Sequence, residues 1–299
     1  MNSRYLNLVL LVIISVSAPL WADSDSIQQR IGALEASSGG RIGVSAVDTF
    51  SNRRIAYREN ELFPLCSTSK VMGVAAILKK SMTDKQLLQQ KIRYTQHMVD
   101  ASEYAPITQR YVKQGMTVEQ LCAAALTYSD NNALNLLMKI LGGPETVTDF
   151  ARSIGDELFT LNRWEPALNS AIPGDKRDTS TPAAMEKSLQ RLVLSDKALA
   201  TSQRLQLQNW LIKNTTGDAR IRAGVPKTWQ VGDKTGTCGY GSTNDIGIIW
   251  PSAGCSPIVV AIYFTQKKLG ASSREDIIAS VTQLLVKEFS KKNPCIREH

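Results

Sequence analysis

Histidine is almost missing from this chain: His97 and His299 are the only two in 299 residues. That leaves little material for a Ser/His/Asp triad or a polyhistidine metal site, so hydrolytic chemistry here would need another general base. Cysteine is scarce as well. Cys66, Cys122, Cys238, Cys255 and Cys295 form no CxxC pair and no Cys/His cluster, which argues against a zinc site. Their odd number leaves at least one thiol unpaired in a monomer. Long apolar runs are also lacking. The stretch from Leu8 to Ile14 falls far short of the roughly 20 residues that span a bilayer. With Arg4 before it and small residues after it up to Ala22, it reads as an export signal over residues 1–22. Leu20 is larger than the alanine usual three residues before such a cut, and no cysteine stands there for lipid attachment. The expected location is the periplasm or the medium, with no membrane attachment once the leader is removed and an oxidising environment for the cysteines.

Lys/Arg blocks interleaved with aromatics are absent too, which removes the usual footprint of a nucleic-acid groove. The formal charge of +8 becomes +7 without Arg4, and part of the excess sits in the tail at Lys291 and Lys292. This describes a soluble basic surface whose field favours anionic small molecules. No repeat or low-complexity tract interrupts the chain. At 43% hydrophobic and 21% charged residues, the composition suffices for one large core or two packed lobes.

Both ends of the chain read as strands and the middle as helices. Arg41–Thr49 and Arg53–Glu59 form a hairpin pattern around Phe50, Ser51 and Asn52, while Trp229–Thr237, Asp245–Trp250 and Pro257–Thr265 are β-rich segments separated by turn residues. A helix opened by Ser67 continues through Val71–Leu78. Thr117 and Gln120 make a capping-box pattern before Val118–Thr127, and Asn132–Leu141 and Ala184–Leu194 are helix-like. Helices at Ser26–Ser37 and Ser273–Ser290 flank the strands. The predicted fold is α/β (α+β): a five-stranded antiparallel sheet flanked by helices, with an all-helical insertion lobe. The sheet lobe takes residues 23–62 and 213–299, and the helical lobe residues 63–212. A cleft lies between the two. From Gly155 to Pro182 prolines and polar residues without period describe a long surface loop, which Arg163 and Asp178 could close as an ion pair.

The first chemical motif is Ser67-Thr68-Ser69-Lys70 at a helix start, where a spacing of three puts the hydroxyl and the amine on one face. Alone it is weak, since about one SxxK arises by chance in a chain of this size. Ser129-Asp130-Asn131 could be a plain turn. Lys234-Thr235-Gly236 could be an edge lysine beside a glycine. In this order, in one exported chain and at the seams of the two lobes, the three together carry far more weight.

With these motifs the chain resembles the class A serine β-lactamases over essentially its whole mature length. A fourth element, Glu165-Pro166-Ala167-Leu168-Asn169, is similar to the ExxLN pattern of the family's omega loop, here residues 160–180. Penicillin-binding peptidases share the other motifs but lack that glutamate. The resemblance implies an enzyme that opens β-lactam rings through an acyl-serine, with Ser67 as nucleophile. Lys70, or Glu165 through a water, would be the acylation base. Glu165 with Asn169 would activate the deacylating water, and Ser129 would protonate the departing ring nitrogen. Asn131 would bond the substrate side chain, and Tyr104 resembles the family's substrate-binding aromatic at the cleft rim. Lys234, Thr235 and Thr237 would hold the substrate carboxylate, with Gly236 in the same substrate-binding motif. Arg220 matches a position where some family members place an arginine beside that pocket, and by residue type alone it is as readily an exposed charge. The oxyanion hole would come from the N–H groups of Ser67 and Thr237.

The positions of Cys66 and Cys238 match the disulfide of carbapenem-hydrolysing class A enzymes, which extends the expected substrates from penicillins and cephalosporins to carbapenems. Cys122 has Val74 where many relatives place a partner, so a free buried thiol is expected. For Cys255 and Cys295 the sequence leaves pairing open. No cofactor or metal is expected, and the partners are small-molecule β-lactams acting on a monomer. Rival readings are a D-Ala-D-Ala peptidase, a penicillin-binding domain without turnover, and, more remotely, a Ser/His/Asp esterase.

Overall fold

Local signals account for most of the element boundaries. The computed structural model describes residues 26–251 and 254–296, so the leader predicted over residues 1–22 lies outside the described residues. Ser26 and Gln29 cap each other's backbone at the start of helix α1 (Ile27–Ser38), and Gly39 ends it in the left-handed conformation at φ 71°. Strand β1 (Gly40–Asp48) follows at once and pairs with β2 (Arg53–Tyr57). The C-terminal strands are β3 (Gln230–Cys238), β4 (Ser242–Trp250) and β5 (Ile258–Gln266). They complete one antiparallel sheet in the order β2-β1-β5-β4-β3. The chain's beginning and end are therefore stitched together along β1 and β5, from Gly40 opposite Gln266 to Asp48 opposite Ile258.

Both faces of the sheet are covered. In β5, Ile258, Val260, Ile262 and Phe264 join one cluster with α1 and the C-terminal helix α9 (Glu275–Ser290), whereas Val259, Ala261 and Tyr263 join the core of the helical lobe. The strand's period of two thus splits its side chains between two cores. Helices between β2 and β3 are α2 (Ser69–Ser81), α3 (Gln96–Ala101), α4 (Val118–Thr127), α5 (Asn131–Leu141), α6 (Pro144–Ser153), α7 (Pro182–Leu194) and α8 (Thr201–Ile212). Helix α2 is the axle of this lobe. Only Lys79 and Lys80 at its far end are exposed, and a methyl group at Gly73 would stand 2.8 Å from the Leu134 side chain, so α2 and α5 touch nearly backbone to side chain.

Several expectations needed adjusting. Ser67 does not open an α-helix. Residues Cys66–Thr68 form a 3-10 turn entered through Cys66 at φ 49°, and α2 starts at Ser69. Strand β4 begins at Ser242 rather than Asp245, because the polar Ser242, Thr243 and Asn244 pair with Cys238, Thr237 and Gly236 across a tight turn. Helix α9 starts at Glu275, not Ser273. Helices α3 and α8 lacked a readable signal: α3 is six residues long, and α8 (TSQRLQLQNWLI) scatters its apolar residues around the helix; α6 also went unpredicted although Pro144 opens it and Val147, Phe150 and Ala151 share its buried face.

The loop from Gly155 to Thr181 is a folded unit. Arg163 Nε donates to Asp178, the backbone N–H groups of Asn162 and Arg163 reach Asp178 Oδ1 at 2.7 and 3.0 Å, and Arg163 Nη1 donates to Ser170 Oγ at 2.9 Å. Asn135 on α5 then clamps the middle. It accepts from Glu165 N at 2.9 Å and donates to Glu165 O at 3.0 Å. The predicted Arg163–Asp178 closure is present.

Candidate active site

Five side chains from four segments converge at the seam of the lobes. The 3-10 turn delivers Ser67 and the first turn of α2 delivers Lys70, whose Nζ lies 2.7 Å from Ser67 Oγ. Lys70 also donates to Asn131 Oδ1 at 2.8 Å and to Glu165 Oε1 at 2.6 Å. All three ammonium protons therefore have acceptors, and Lys70 and Glu165 form an ion pair with no exposed side-chain surface. Glu165 Oε2 accepts from Asn169 Nδ2. Asn169 Oδ1 is buried without a partner among the described residues. An unused buried acceptor beside a carboxylate suits a donor from solvent. Trp164 points outward at 42% exposure, leaving its neighbour Glu165 turned in.

On the opposite wall, Ser129 sits at φ 59° between α4 and α5, and Asp130 caps α5 by accepting from Ala133 N at 2.8 Å. Asp130 also accepts from Thr108 N at 2.8 Å, which anchors the strap carrying Tyr104. Lys234 on β3 donates to Ser129 Oγ at 3.0 Å. Gly236 is required by packing: a Cβ there would lie 2.9 Å from Leu65 O and 3.1 Å from the Cys66 side chain, so only glycine lets β3 approach the Ser67 turn. Cys66 and Cys238 are disulfide-bonded across this contact, Cys255 bonds Cys295, and Cys122 is a free buried thiol whose burial pushes its pKa up.

Arg220, which the sequence left as readily an exposed charge as a pocket residue, is 3% exposed. Its guanidinium donates to Gly236 O at 2.9 Å, Asn244 O at 2.7 Å and Thr237 Oγ1 at 2.6 Å, and pairs with Glu275 at 3.2 Å. Burial, with the Lys70 cation adding to it, lowers the pKa of Lys234 to about 7 against the pull of Asp233 and Asp245. Asp245 is pushed well above the ordinary carboxylate range by burial and by neighbouring Asp233.

The cleft between these walls has a volume of about 360 Å³ and is lined by Ser67, Ser129, Asn131, Asn169, Thr235 and Thr237 among others, with half-exposed Tyr104 at its rim. Among the described residues no cluster of histidine, cysteine, aspartate or glutamate is arranged to hold a metal.

A family model described as the beta-lactamase enzyme family matches residues 26–289. Beta-lactamase CTX-M-97 of Escherichia coli is 53% identical over 273 residues, 91% of this chain and 92% of that protein. The chain belongs to the class A β-lactamase family. Beta-lactamase OXY-2 of Klebsiella oxytoca is 50% identical over 269 residues, covering 90% of this β-lactamase and 91% of the relative. The crystal structure of a beta-lactamase from Desulfarculus baarsii superposes with a TM-score of 0.86 at 46% identity over 88% of this chain and 97% of that one. A mutant of the last common ancestor of Gram-negative bacteria class A β-lactamase gives a TM-score of 0.85 at 49% identity over 90% of this chain and 100% of that one.

The structure also brings to this β-lactamase's cleft residues that sequence reading passed over. Thr216 Oγ1 lies 2.6 Å from Thr235 Oγ1, and Glu275 lines the cleft beside Arg220. Asn135 was accessible in principle. It stands four residues after Asn131 on α5, one turn along the same face.

Proposed function

We propose that this β-lactamase is exported by its leader and hydrolyses penicillins, cephalosporins and carbapenems through an ester on Ser67. The observation that carries the reading is the unbroken line from Ser67 Oγ through Lys70 Nζ to Glu165 Oε1, at 2.7 and 2.6 Å. Lys70 as an ammonium has no lone pair, so its proton passes first to Glu165. The resulting amine takes the Ser67 proton as Oγ attacks the lactam carbonyl. The N–H groups of Ser67 and Thr237 stabilise the oxyanion, a donor of this kind being worth about 3 kcal/mol. Ser129, held by Lys234, passes a proton to the ring nitrogen as the amide bond breaks and is reprotonated from Lys70, which recovers its own proton from Glu165 and leaves that carboxylate ionised again. Glu165 and Asn169 then orient a water, and Glu165 removes its proton as the ester is hydrolysed and passes it on to the departing Ser67 Oγ. The Cys66–Cys238 bridge supports the carbapenem extension because it ties the nucleophile's turn to the oxyanion strand.

The test is steady-state hydrolysis of nitrocefin and imipenem by the purified protein. Turnover of both is expected. Labelling of Ser67 without regeneration would instead describe a penicillin-binding trap, and imipenem loss no faster than in buffer removes the carbapenem extension.

Lys234 gives a pH signature. Its ammonium binds the substrate carboxylate, and a lowered pKa means that this charge is present below about 7 and lost above it. The kcat/KM for carboxylate-bearing substrates should therefore fall on the basic side far below the range of an ordinary lysine. Lys234→Arg should move that limb out of the accessible range, because guanidinium stays protonated. An unchanged limb in the arginine variant assigns it to another group.

A further inference from the structure

The cleft is not the larger cavity in the molecule. A second one, of about 720 Å³ against 360 Å³, lies behind the loop that carries Glu165 and shares no lining residue with the cleft. One wall is the end of the sheet where β1 begins and β5 finishes, near Gly40 and Gln266. The facing wall is the loop from Leu168 to Arg177. The volume falls within the range of small-molecule sites, roughly 300–1,000 Å³.

The lining combines apolar surface, chiefly Leu62, Leu168 and Ile172, with five cationic side chains and two carboxylates. Those carboxylates are already engaged: Glu61 by Arg41 and Arg58, and Asp175 by Arg163 and Arg177. Lys176 and Lys267 have no carboxylate within ion-pair distance among the described residues. A cavity with hydrocarbon walls and surplus ammonium groups selects a ligand with one negative charge and an apolar body.

We propose that this cavity binds an amphipathic monocarboxylate, a fatty-acid-sized or aryl acid, and that its occupancy slows hydrolysis. The coupling runs through Arg163. This residue lines the cavity and also holds Ser170 Oγ at 2.9 Å, next to Asn169, and Asp178 at the loop's far end. A carboxylate drawn to that guanidinium competes with Ser170 and Asp175 and loosens the segment that positions Asn169 against Glu165. The kinetic half of the proposal rests on the deacylating role given to Glu165, whereas the binding half does not.

The experiment titrates dodecanoate, below its micellar concentration, into the purified protein by calorimetry and into nitrocefin assays in parallel. Saturable one-to-one binding is expected, with kcat and KM lowered together and kcat/KM unchanged because only the step after acylation is slowed, and dodecylammonium should not bind. The double variant Lys176→Glu/Lys267→Glu should lose affinity roughly ten-fold, equivalent to about 1.4 kcal/mol, while its uninhibited nitrocefin turnover stays at the wild-type level and so reports a folded enzyme. Ile172→Trp, which fills the apolar part, should abolish binding by a second route. Absence of saturable binding, wild-type affinity in either variant, or competition with nitrocefin, which would place the carboxylate at Lys234 instead, overturns the site. Binding that leaves kcat untouched overturns the regulatory half alone.

Discussion

Glu165→Ala is expected to convert a turning-over enzyme into one that acylates once and stops. In the wild type, the carboxylate receives Lys70 on one oxygen and Asn169 on the other, with no exposed side-chain surface. Its removal leaves a buried ammonium without a counterion, which is costly enough that Lys70 sheds its proton. A neutral amine 2.7 Å from Ser67 Oγ can still take the hydroxyl proton, so the ester forms. The second half-reaction has lost its base, and a general-base step contributes roughly 10²- to 10⁴-fold. Rapid mixing with nitrocefin should show a burst of one equivalent followed by a rate lower by about that factor, and intact-protein mass spectrometry should show the adduct persisting. Glu165→Gln, which keeps the shape and the Asn169 contact, should behave the same way. Acylation slowed as much as deacylation would assign both steps to the carboxylate, and steady hydrolysis without an adduct would falsify the mechanism.

The next largest effect is expected from the pair Cys66→Ser and Cys238→Ser. The bridge joins residues 172 apart in sequence. Removing a native disulfide typically costs about 2–5 kcal/mol, and loops this long lie toward the upper end. At roughly 2–4 °C per kcal/mol for larger domains, the melting temperature should drop by about 5–20 °C. The local consequence matters more for chemistry. Cys66 holds a left-handed backbone immediately before the nucleophile, and β3 approaches that turn closely enough to require Gly236. Freed from the bridge, the Ser67 turn and Thr237 lose their mutual register. Imipenem turnover should fall further than nitrocefin turnover when both are measured well below the new melting temperature. Equal losses for the two substrates would reduce the bridge to a purely stabilising role.

Much of this arrangement could be read from sequence because its signals are local. The Thr117–Gln120 box placed α4 to the residue, and β-rich segments bounded by turn residues located all five strands within a few residues. The three short motifs and Glu165-Pro166-Ala167-Leu168-Asn169 named side chains that do meet in space. What stayed hidden was long-range. That Arg220 is buried depends on carbonyl groups of Gly236 and Asn244, on two different strands. Asn135 needed the folded loop to show that it grips both sides of the Glu165 backbone unit. Pairing of Cys255 with Cys295 depends on how α9 returns along β5, which periodicity alone does not fix.

The seam of β1 against β5 also dictates when this molecule can mature. Gly40 finds its partner only at Gln266, and every residue of the helical lobe lies between them. A nascent chain therefore carries an unfinished sheet until nearly all of it has been synthesised, and contacts of such wide sequence separation form slowly. That delay leaves the open edge of β1 without its native partner for most of synthesis, an interval in which it is exposed to pairing with strands of other chains.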